Sequence, residues 1–124
     1  MTNGKLLILD DDPHIGKLVK LIGEASGLEA RFTLETGEFF RAVDEWRPTH
    51  IVLDLVMPSM EGTEVLFRLA QRCCRARIIL SSGVGEPALD AAGRSANENG
   101  LQIVGTLAKP FSLRALRELL APAG

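Results

Sequence analysis

The sequence has 124 residues, 46% of them hydrophobic, which suits one domain with a single core and needs neither disulfides nor a structural metal. Its 14 basic and 16 acidic residues give a net charge of -2, which argues against direct DNA binding and against an anionic membrane as partner. No apolar stretch reaches the roughly 18 residues of a membrane span, and the N-terminus does not resemble a secretion signal, so we expect a cytoplasmic protein.

The N-terminal segment predicts a strand, an acidic turn and a helix. The strand is the apolar run Lys5 to Leu9, and three acidic residues, 10 to 12, follow it directly. Pro13 suits the first position of a helix, and Gly27 is a good stop. Apolar residues between them repeat with the spacing of one helical face: Ile15, Leu18, Val19 and Ile22. The carboxylates therefore follow the end of a buried strand.

The next segment predicts an edge strand and a second helix. Glu29 to Leu34 alternates polar and apolar residues, which is typical of a strand that is only partly covered. Thr36 can cap a helix that Pro48 ends. The inward face of this helix is predicted to be Phe39, Phe40, Val43 and Trp46.

The most informative stretch is His50 to Pro58, in which a short apolar run ends at one carboxylate, Asp54. Uninterrupted apolar runs are typical of strands covered on both faces, as in parallel sheets. A charge at that place is costly unless a cation or a reaction partner meets it. Pro58 cannot donate to a ladder, so the strand ends close to Asp54.

The second half of the chain continues the alternation. The predicted elements are a helix after Gly62, a strand at Ala76 to Leu80, a weak helix at 87 to 99, a strand at Leu101 to Leu107 and a helix capped by Ser112. The last helix is predicted to bury Leu113, Leu116, Leu119 and Leu120. Polar side chains again follow the strands, Ser82 after the fourth and Lys109 after the fifth.

Five strands alternating with five helices predict an α/β fold with a parallel sheet covered on both faces, because parallel strands require long crossover connections. The first, third and fourth strands have the purest apolar runs and should be central. Strand order 2-1-3-4-5 satisfies this with right-handed connections, in a flavodoxin-like, doubly wound (βα)5 arrangement. In such sheets ligands bind at the carboxyl ends of the strands where the order reverses, here between strands one and three.

That edge of the sheet would bring together polar side chains from four strands: Asp10, Asp11, Asp54, Ser82 and Lys109. Two like charges about 4 Å apart repel by roughly 4 kcal/mol at an effective dielectric of about 20, so three carboxylates without a counterion would be costly or partly protonated, and a divalent cation is the simplest solution. Oxygen ligands without a nearby His or Cys favour Mg²⁺. A carboxylate beside Mg²⁺, a lysine and a hydroxyl is suited to accepting a phosphoryl group, and Asp54 is the nucleophile that we expect.

At this point the sequence resembles the receiver domains of two-component response regulators. The matching segments are ILDDDP at 8 to 13, VLDLVMPSMEG at 52 to 62, ILSSG at 79 to 83 and LAKPF at 107 to 111. They occur in the order of the family and with similar spacing, over nearly the whole chain. The resemblance implies that residues 1–124 form a single receiver domain. It also implies that the protein is not an enzyme beyond autocatalytic phosphoryl acceptance and slow self-dephosphorylation.

The resemblance also implies roles for the site residues. Asp54 is the phosphoacceptor, Ser82 matches the switch hydroxyl of the family, and Lys109 matches its lysine. Ser81 is expected to be structural, and Asp12, one step into the loop, is not among the expected ligands. The implied ligands of Mg²⁺ are Asp10, Asp11, Asp54 and the backbone carbonyl of Val56.

The partners implied by the resemblance are a sensor histidine kinase or a histidine phosphotransfer protein. The fourth helix, fifth strand and fifth helix form the expected output surface, and helices four and five also offer a surface for a homodimer. The segment between Ser82 and Lys109 is about a helical turn longer than the common form, and this resembles receivers that work with cyclic-dinucleotide signalling domains. Thr106 stands where the family often has an aromatic residue, which leaves the switch mechanism open.

Two other classes of function compete with this interpretation. An aspartyl-phosphate hydrolase also uses a strand-end Asp and Mg²⁺, but it would need a second acid two residues after the nucleophile, and position 56 is Val. A receiver-like binding module could keep the fold and work without phosphorylation, which the complete set of acceptor, metal, serine and lysine residues argues against. Val56 and Val84 occupy positions where polar residues could orient an attacking water, so we expect slow autodephosphorylation.

Overall fold

A computed structural model of the protein describes residues 4–55, 62–82, 86–109 and 112–120, and of residues 62, 63, 82 and 86–89 only the backbone. The elements are β1 (Lys5–Leu9), α1 (Pro13–Ala25), β2 (Glu29–Thr33), α2 (Thr36–Trp46), β3 (His50–Asp54), α3 (Gly62–Gln71), β4 (Arg77–Ser82), α4 (Glu86–Glu98), β5 (Gln102–Ala108) and α5 (Leu113–Leu120). The strands pair in parallel in the order β2-β1-β3-β4-β5, which confirms the predicted fold. None of the described helices is both long and apolar enough to span a membrane.

The sheet separates two hydrophobic clusters. The cluster on the side of α2, α3 and α4 contains the strand residues Leu7, Leu9, Ile51, Leu53, Ile78 and Leu80. The cluster on the side of α1 and α5 contains Leu6, Ile8, Val52, Ile79 and Leu107. Successive residues of one strand point to opposite faces, so a strand covered on both faces is apolar at every position. This explains the uninterrupted apolar runs of β1, β3 and β4.

Side-chain caps fix the beginnings of α1 and α5, and the cap of α5 by Ser112 confirms the prediction. The amide N–H of His14 donates to Asp12 Oδ1 at 2.9 Å, and Pro13 is the first residue of α1. The amide N–H of Ala115 donates to Ser112 Oγ at 3.0 Å. These bonds satisfy amide groups that have no partner within their own helices. Helix α1 therefore begins directly after the acidic turn and orients that turn.

Several predicted details are wrong. Thr36 begins α2, and the N-cap is Glu35, whose side chain makes no capping bond. Leu18 and Leu113 were predicted to face inward, but they are 38% and 50% exposed. Helical spacing places Leu18 at the margin of the buried stripe, and Leu113 is the first residue of α5, where the helix has only begun to cover the sheet. The strand ends also differ, because β4 extends to Ser82 and β5 to Ala108.

Close approach of helices to the sheet depends on glycine at several positions, among them Gly16 and Gly105. A Cβ atom at Gly16 would collide with the ring of Phe32, and one at Gly105 would collide with the side chain of Leu119. Gly105 also follows an irregularity in the pairing of β4 with β5, between Ile78 and Ile79. The shift sets the register of the end of β5, where Thr106 pairs with Leu80. It thus determines how the segment that leads to residue 109 is aligned with β4.

Candidate functional site

The topology brings two buried carboxylates together at the carboxyl edge of the sheet. Asp10 follows β1 directly, and Asp54 is the last residue of β3. Because β1 and β3 pair in parallel with Leu9 opposite Leu53, the next residues of the two strands are neighbours. Asp10 is 1% exposed and Asp54 3% exposed. Two carboxylates this deeply buried need positive charge close by.

Lys109 supplies positive charge to both carboxylates. Its Nζ donates to Asp10 Oδ2 at 2.9 Å and to Asp54 Oδ2 at 3.3 Å, and its side chain is 20% exposed. Since β4 lies between β5 and β3, the side chain crosses the end of β4 to reach these partners. Burial alone would lower the pKa of Lys109, but the hydrogen bond and charge of Asp10, followed by the charge of Asp54, outweigh it and raise the pKa. The ammonium is therefore charged at neutral pH.

Backbone hydrogen bonds fix the Asp10 carboxylate and the end of the strand that carries Asp54. The amide N–H of Asp12 donates to Asp10 Oδ1 at 2.9 Å, so Asp10 binds the turn through one oxygen and Lys109 through the other. Beyond Asp54, the amide N–H of Leu55 donates to the carbonyl of Ser81 at 2.9 Å, which extends the pairing of β3 with β4 past the carboxylate. The site is thus built on the ends of paired strands.

Three carboxylates have the geometry of a metal site. Asp10, Asp11 and Asp54 each offer an oxygen, and these oxygens lie within 4.8 Å of one another. Asp11 is exposed, which leaves the cluster open to solvent on one side. The donors are all oxygen, as Mg²⁺ prefers, and three carboxylates face a single ammonium in the described part of the site. A divalent cation fits both the donor set and the charge.

The structure brings together four of the residues that the sequence predicted for this site: Asp10, Asp11, Asp54 and Lys109. Ser82 ends β4 and pairs with Ala108 through the backbone, while its side chain falls outside the described residues. Val56 and Val84, the positions expected to provide a ligand carbonyl and to affect hydrolysis, also lie outside them. Thr106 is described, and it is partly buried beside Leu80.

Two residues contribute to this edge in ways that the sequence interpretation missed. Asp12 caps α1 and steadies Asp10 through its amide N–H. Ser81 is opposite Asp54 in the register of β3 with β4 and is completely buried. A signal for Ser81 was present, since it directly follows the apolar run of β4 and aligns with the strand end that carries Asp54.

Comparison with known proteins identifies relatives along almost the entire chain. Residues 6–121 match the family model described as response regulator receiver domain. The chemotaxis protein CheY of Listeria monocytogenes is 30% identical over 122 residues, which cover 96% of this chain and 97% of that protein. Sporulation initiation phosphotransferase F of Bacillus subtilis is 30% identical over 121 residues, which cover 95% of this chain and 91% of that protein.

Solved structures agree with these relatives. A response regulator from Colwellia psychrerythraea is 31% identical, with a TM-score of 0.78 over 96% of this chain and 94% of that one. Chemotaxis protein CheY4 of Vibrio cholerae has a TM-score of 0.83 at 23% identity, over 96% of this chain and 97% of that one. At that lower identity the likeness concerns the fold, which is the same five-stranded parallel arrangement.

Proposed function

This chain belongs to the response regulator receiver domain family, and from that premise we propose that Asp54 accepts a phosphoryl group. Receiver domains are generally signalling modules without enzyme activity, and they interact with histidine kinases or phosphotransfer proteins. The observation that carries the proposal is the pairing of the buried Asp54 carboxylate with the Lys109 ammonium at 3.3 Å, beside two further carboxylates. We propose that residues 1–124 act together as one such receiver domain.

In the proposed reaction an Asp54 oxygen attacks the phosphorus of a phosphohistidine. The new P–O bond forms as the P–N bond to the donor histidine breaks, and the histidine nitrogen leaves with the bond electrons. The Lys109 ammonium compensates negative charge on the transferred group, in a position where burial strengthens the attraction. Mg²⁺, held by Asp10, Asp11, Asp54 and the backbone carbonyl of Val56, would supply further neutralisation of the phosphoryl oxygens when bound.

We propose that Ser82 transmits the change. Its hydroxyl would bond the phosphoryl oxygens and so bias the segment between β4 and α4 towards a second conformation. The output surface of this switch would be α4, β5 and α5, through which a cyclic-dinucleotide signalling domain or a second copy of the chain could bind. The reaction would take place in the cytoplasm, where a histidine kinase or phosphotransfer protein would act as donor.

Phosphorylation in vitro tests the acceptor. Acetyl phosphate with Mg²⁺ should add one phosphoryl group to the intact protein, detected by mass spectrometry, and beryllofluoride with Mg²⁺ should bind as its analogue. Asp54→Asn keeps the size of the side chain and should abolish both. The proposal fails if the wild type forms no adduct or if the adduct persists unchanged on Asp54→Asn.

The lifetime of the adduct distinguishes a receiver domain from an aspartyl-phosphate hydrolase. With Val at positions 56 and 84, no side chain at those positions can orient an attacking water by hydrogen bonding. We therefore expect slow autodephosphorylation, followed as loss of phosphoryl mass after removal of acetyl phosphate. A half-life of seconds would contradict this expectation, and turnover of a generic phosphate ester would favour a hydrolase.

A further inference from the structure

A buried hydroxyl at the end of β4 has no role in the site as described so far. Ser81 is 0% exposed, and its Oγ makes no hydrogen bond with any described residue. Buried polar groups in native proteins are almost always paired, because a hydroxyl that has given up water without gaining a partner is destabilising. An exception beside a functional site therefore needs an explanation.

The register of the sheet places this hydroxyl next to the phosphoacceptor. Ser81 of β4 is directly opposite Asp54 of β3, and neighbouring parallel strands lie about 4.8 Å apart. The residues two positions earlier, Ile79 and Val52, belong to the same cluster on the α1 and α5 side. By the alternation of a strand, Ser81 and Asp54 lie on that face as well.

Lys109 passes over the same place. Leu107 is opposite Ser81, and Lys109 follows two residues later, with its Nζ bonded to Asp10 and Asp54. In the unphosphorylated protein the ammonium thus bonds Asp54, the residue opposite Ser81 in the neighbouring strand. After phosphorylation the negative charge lies on the phosphoryl oxygens and no longer on the carboxylate. The Lys109 ammonium, at the end of a flexible side chain, is attracted towards those oxygens. The oxygen of Asp54 that does not carry the phosphoryl group, which would also be a ligand of Mg²⁺, then loses the hydrogen bond from Lys109.

We propose that Ser81 replaces that donor: after phosphorylation its hydroxyl donates a hydrogen bond to the unesterified oxygen of Asp54. This inference rests on the proposed phosphorylation of Asp54. Rotation about a single side-chain bond is enough to redirect the hydroxyl. No covalent step is added, because the P–O bond forms in the transfer described above and Ser81 keeps its proton. Ser81 then has no hydrogen-bond partner among the described residues in the free protein and gains one after phosphorylation.

The proposal predicts opposite effects of one substitution in the two states. Ser81→Ala removes an unpaired hydroxyl from the free protein, so the urea midpoint without Mg²⁺ should stay the same or rise. In the beryllofluoride complex the same change removes a hydrogen bond, so the dissociation constant of beryllofluoride at saturating Mg²⁺ should increase about fivefold. Calorimetry gives that constant, and fluorescence of Trp46 reports unfolding.

Two further variants serve as controls. Ser81→Cys keeps the shape of the side chain with a weaker donor, and it should weaken beryllofluoride binding as Ser81→Ala does. Thr33→Val removes a buried hydroxyl that is already paired, with the carbonyl of Ile8 at 2.6 Å, and it should lower the urea midpoint of the free protein. Thr33→Val thus measures how much the loss of a paired buried hydroxyl lowers the urea midpoint of the free protein.

The outcomes separate this inference from the function on which it rests. A lowered urea midpoint of free Ser81→Ala together with unchanged affinity for beryllofluoride would overturn the role of Ser81 and leave phosphorylation of Asp54 intact. Failure of the wild type to bind beryllofluoride would overturn the proposed function itself. If Ser81→Ala does not fold, an unchanged dissociation constant for Ser81→Cys is the result that contradicts the proposal.

Discussion

Strand β3 carries an ionisable side chain at each end, and the surroundings of the two ends are different. At the carboxyl end, Asp54 is buried and meets the Lys109 ammonium at 3.3 Å. At the amino end, His50 Nδ1 lies 2.8 Å from Thr49 Oγ1, and Nε2 is buried without a hydrogen-bond partner among the described residues. Burial, and then the charge of Arg77, lowers the pKa of His50.

The contrast shows how one strand supports a charge at one end and a neutral group at the other. The partner of His50 in β4 is Arg77, which has the sign of a protonated imidazole and so opposes its charging. The neighbours of Asp54 come from the ends of β1 and β5, and they include both the opposite charge and two further carboxylates. The carboxyl edge differs because the topology collects polar groups from several strands there, and not because β3 itself is unusual.

Trp46 belongs to the amino edge as well. The Lys5 ammonium donates to the carbonyl of Trp46 at 3.2 Å and lies 5.7 Å from the centre of its ring. Lys5 begins β1 and Asp10 follows its end, so the two edges are roughly 16 Å apart. Fluorescence of Trp46 is therefore suited to following unfolding, and Mg²⁺ at the carboxyl edge should change it little directly.

The largest effect is expected when the charge balance of the carboxyl edge is broken. Lys109→Met keeps much of the apolar stem but leaves Asp10 and Asp54 buried without their ammonium. The free energy of unfolding at pH 7 without divalent cations should fall by about 3 kcal/mol, measured by urea denaturation. A matched substitution on the surface, Arg68→Met, breaks the exposed pair with Glu64 and should change it by about 0.5 kcal/mol or less.

Two experiments on the Lys109→Met variant test why its free energy of unfolding falls. Asp10→Asn removes one of the two carboxylates that Lys109 serves, so it should recover part of the stability lost in Lys109→Met. Adding Mg²⁺ should also recover part, because a divalent cation at the three carboxylates supplies positive charge. A loss of less than about 1 kcal/mol in Lys109→Met would mean that the pair contributes no more than an exposed one.

The sequence was sufficient to predict the strand order and the meeting of Asp10, Asp54 and Lys109. The apolar runs identified the three covered strands, and the order 2-1-3-4-5 put them at the centre with right-handed connections. A parallel sheet then brings the residues after its strands to one edge, whatever the details of packing. These features follow from periodicity and chain connectivity, which a single sequence contains.

The wrong or missing details depend on distances that no local pattern contains. Thr36 has the chemistry of a helix cap, but the chain turns one residue earlier, at Glu35. Leu18 and Leu113 have helical spacing, but how far each helix covers the sheet decides their exposure. For Ser81, the chemistry and the position were visible, whereas the lack of a partner appears only when the neighbouring strands are packed.

The smallest effect is expected at the amino edge, from the titration of His50. Its pKa is lowered from the ordinary value of 6.5 in the folded protein, so the unfolded chain binds the proton first as the pH falls. The stability that the neutral imidazole contributes is present above pH 6.5 and is lost as the pH falls through the lower pKa of the folded state. Urea denaturation between about pH 7 and pH 5 should therefore show a shallower loss of stability in His50→Gln than in the wild type.

His14→Gln, which changes an exposed imidazole, is the control and should follow the wild type. Equal slopes for His50→Gln and the wild type would contradict the coupling between the protonation of His50 and the stability of the fold.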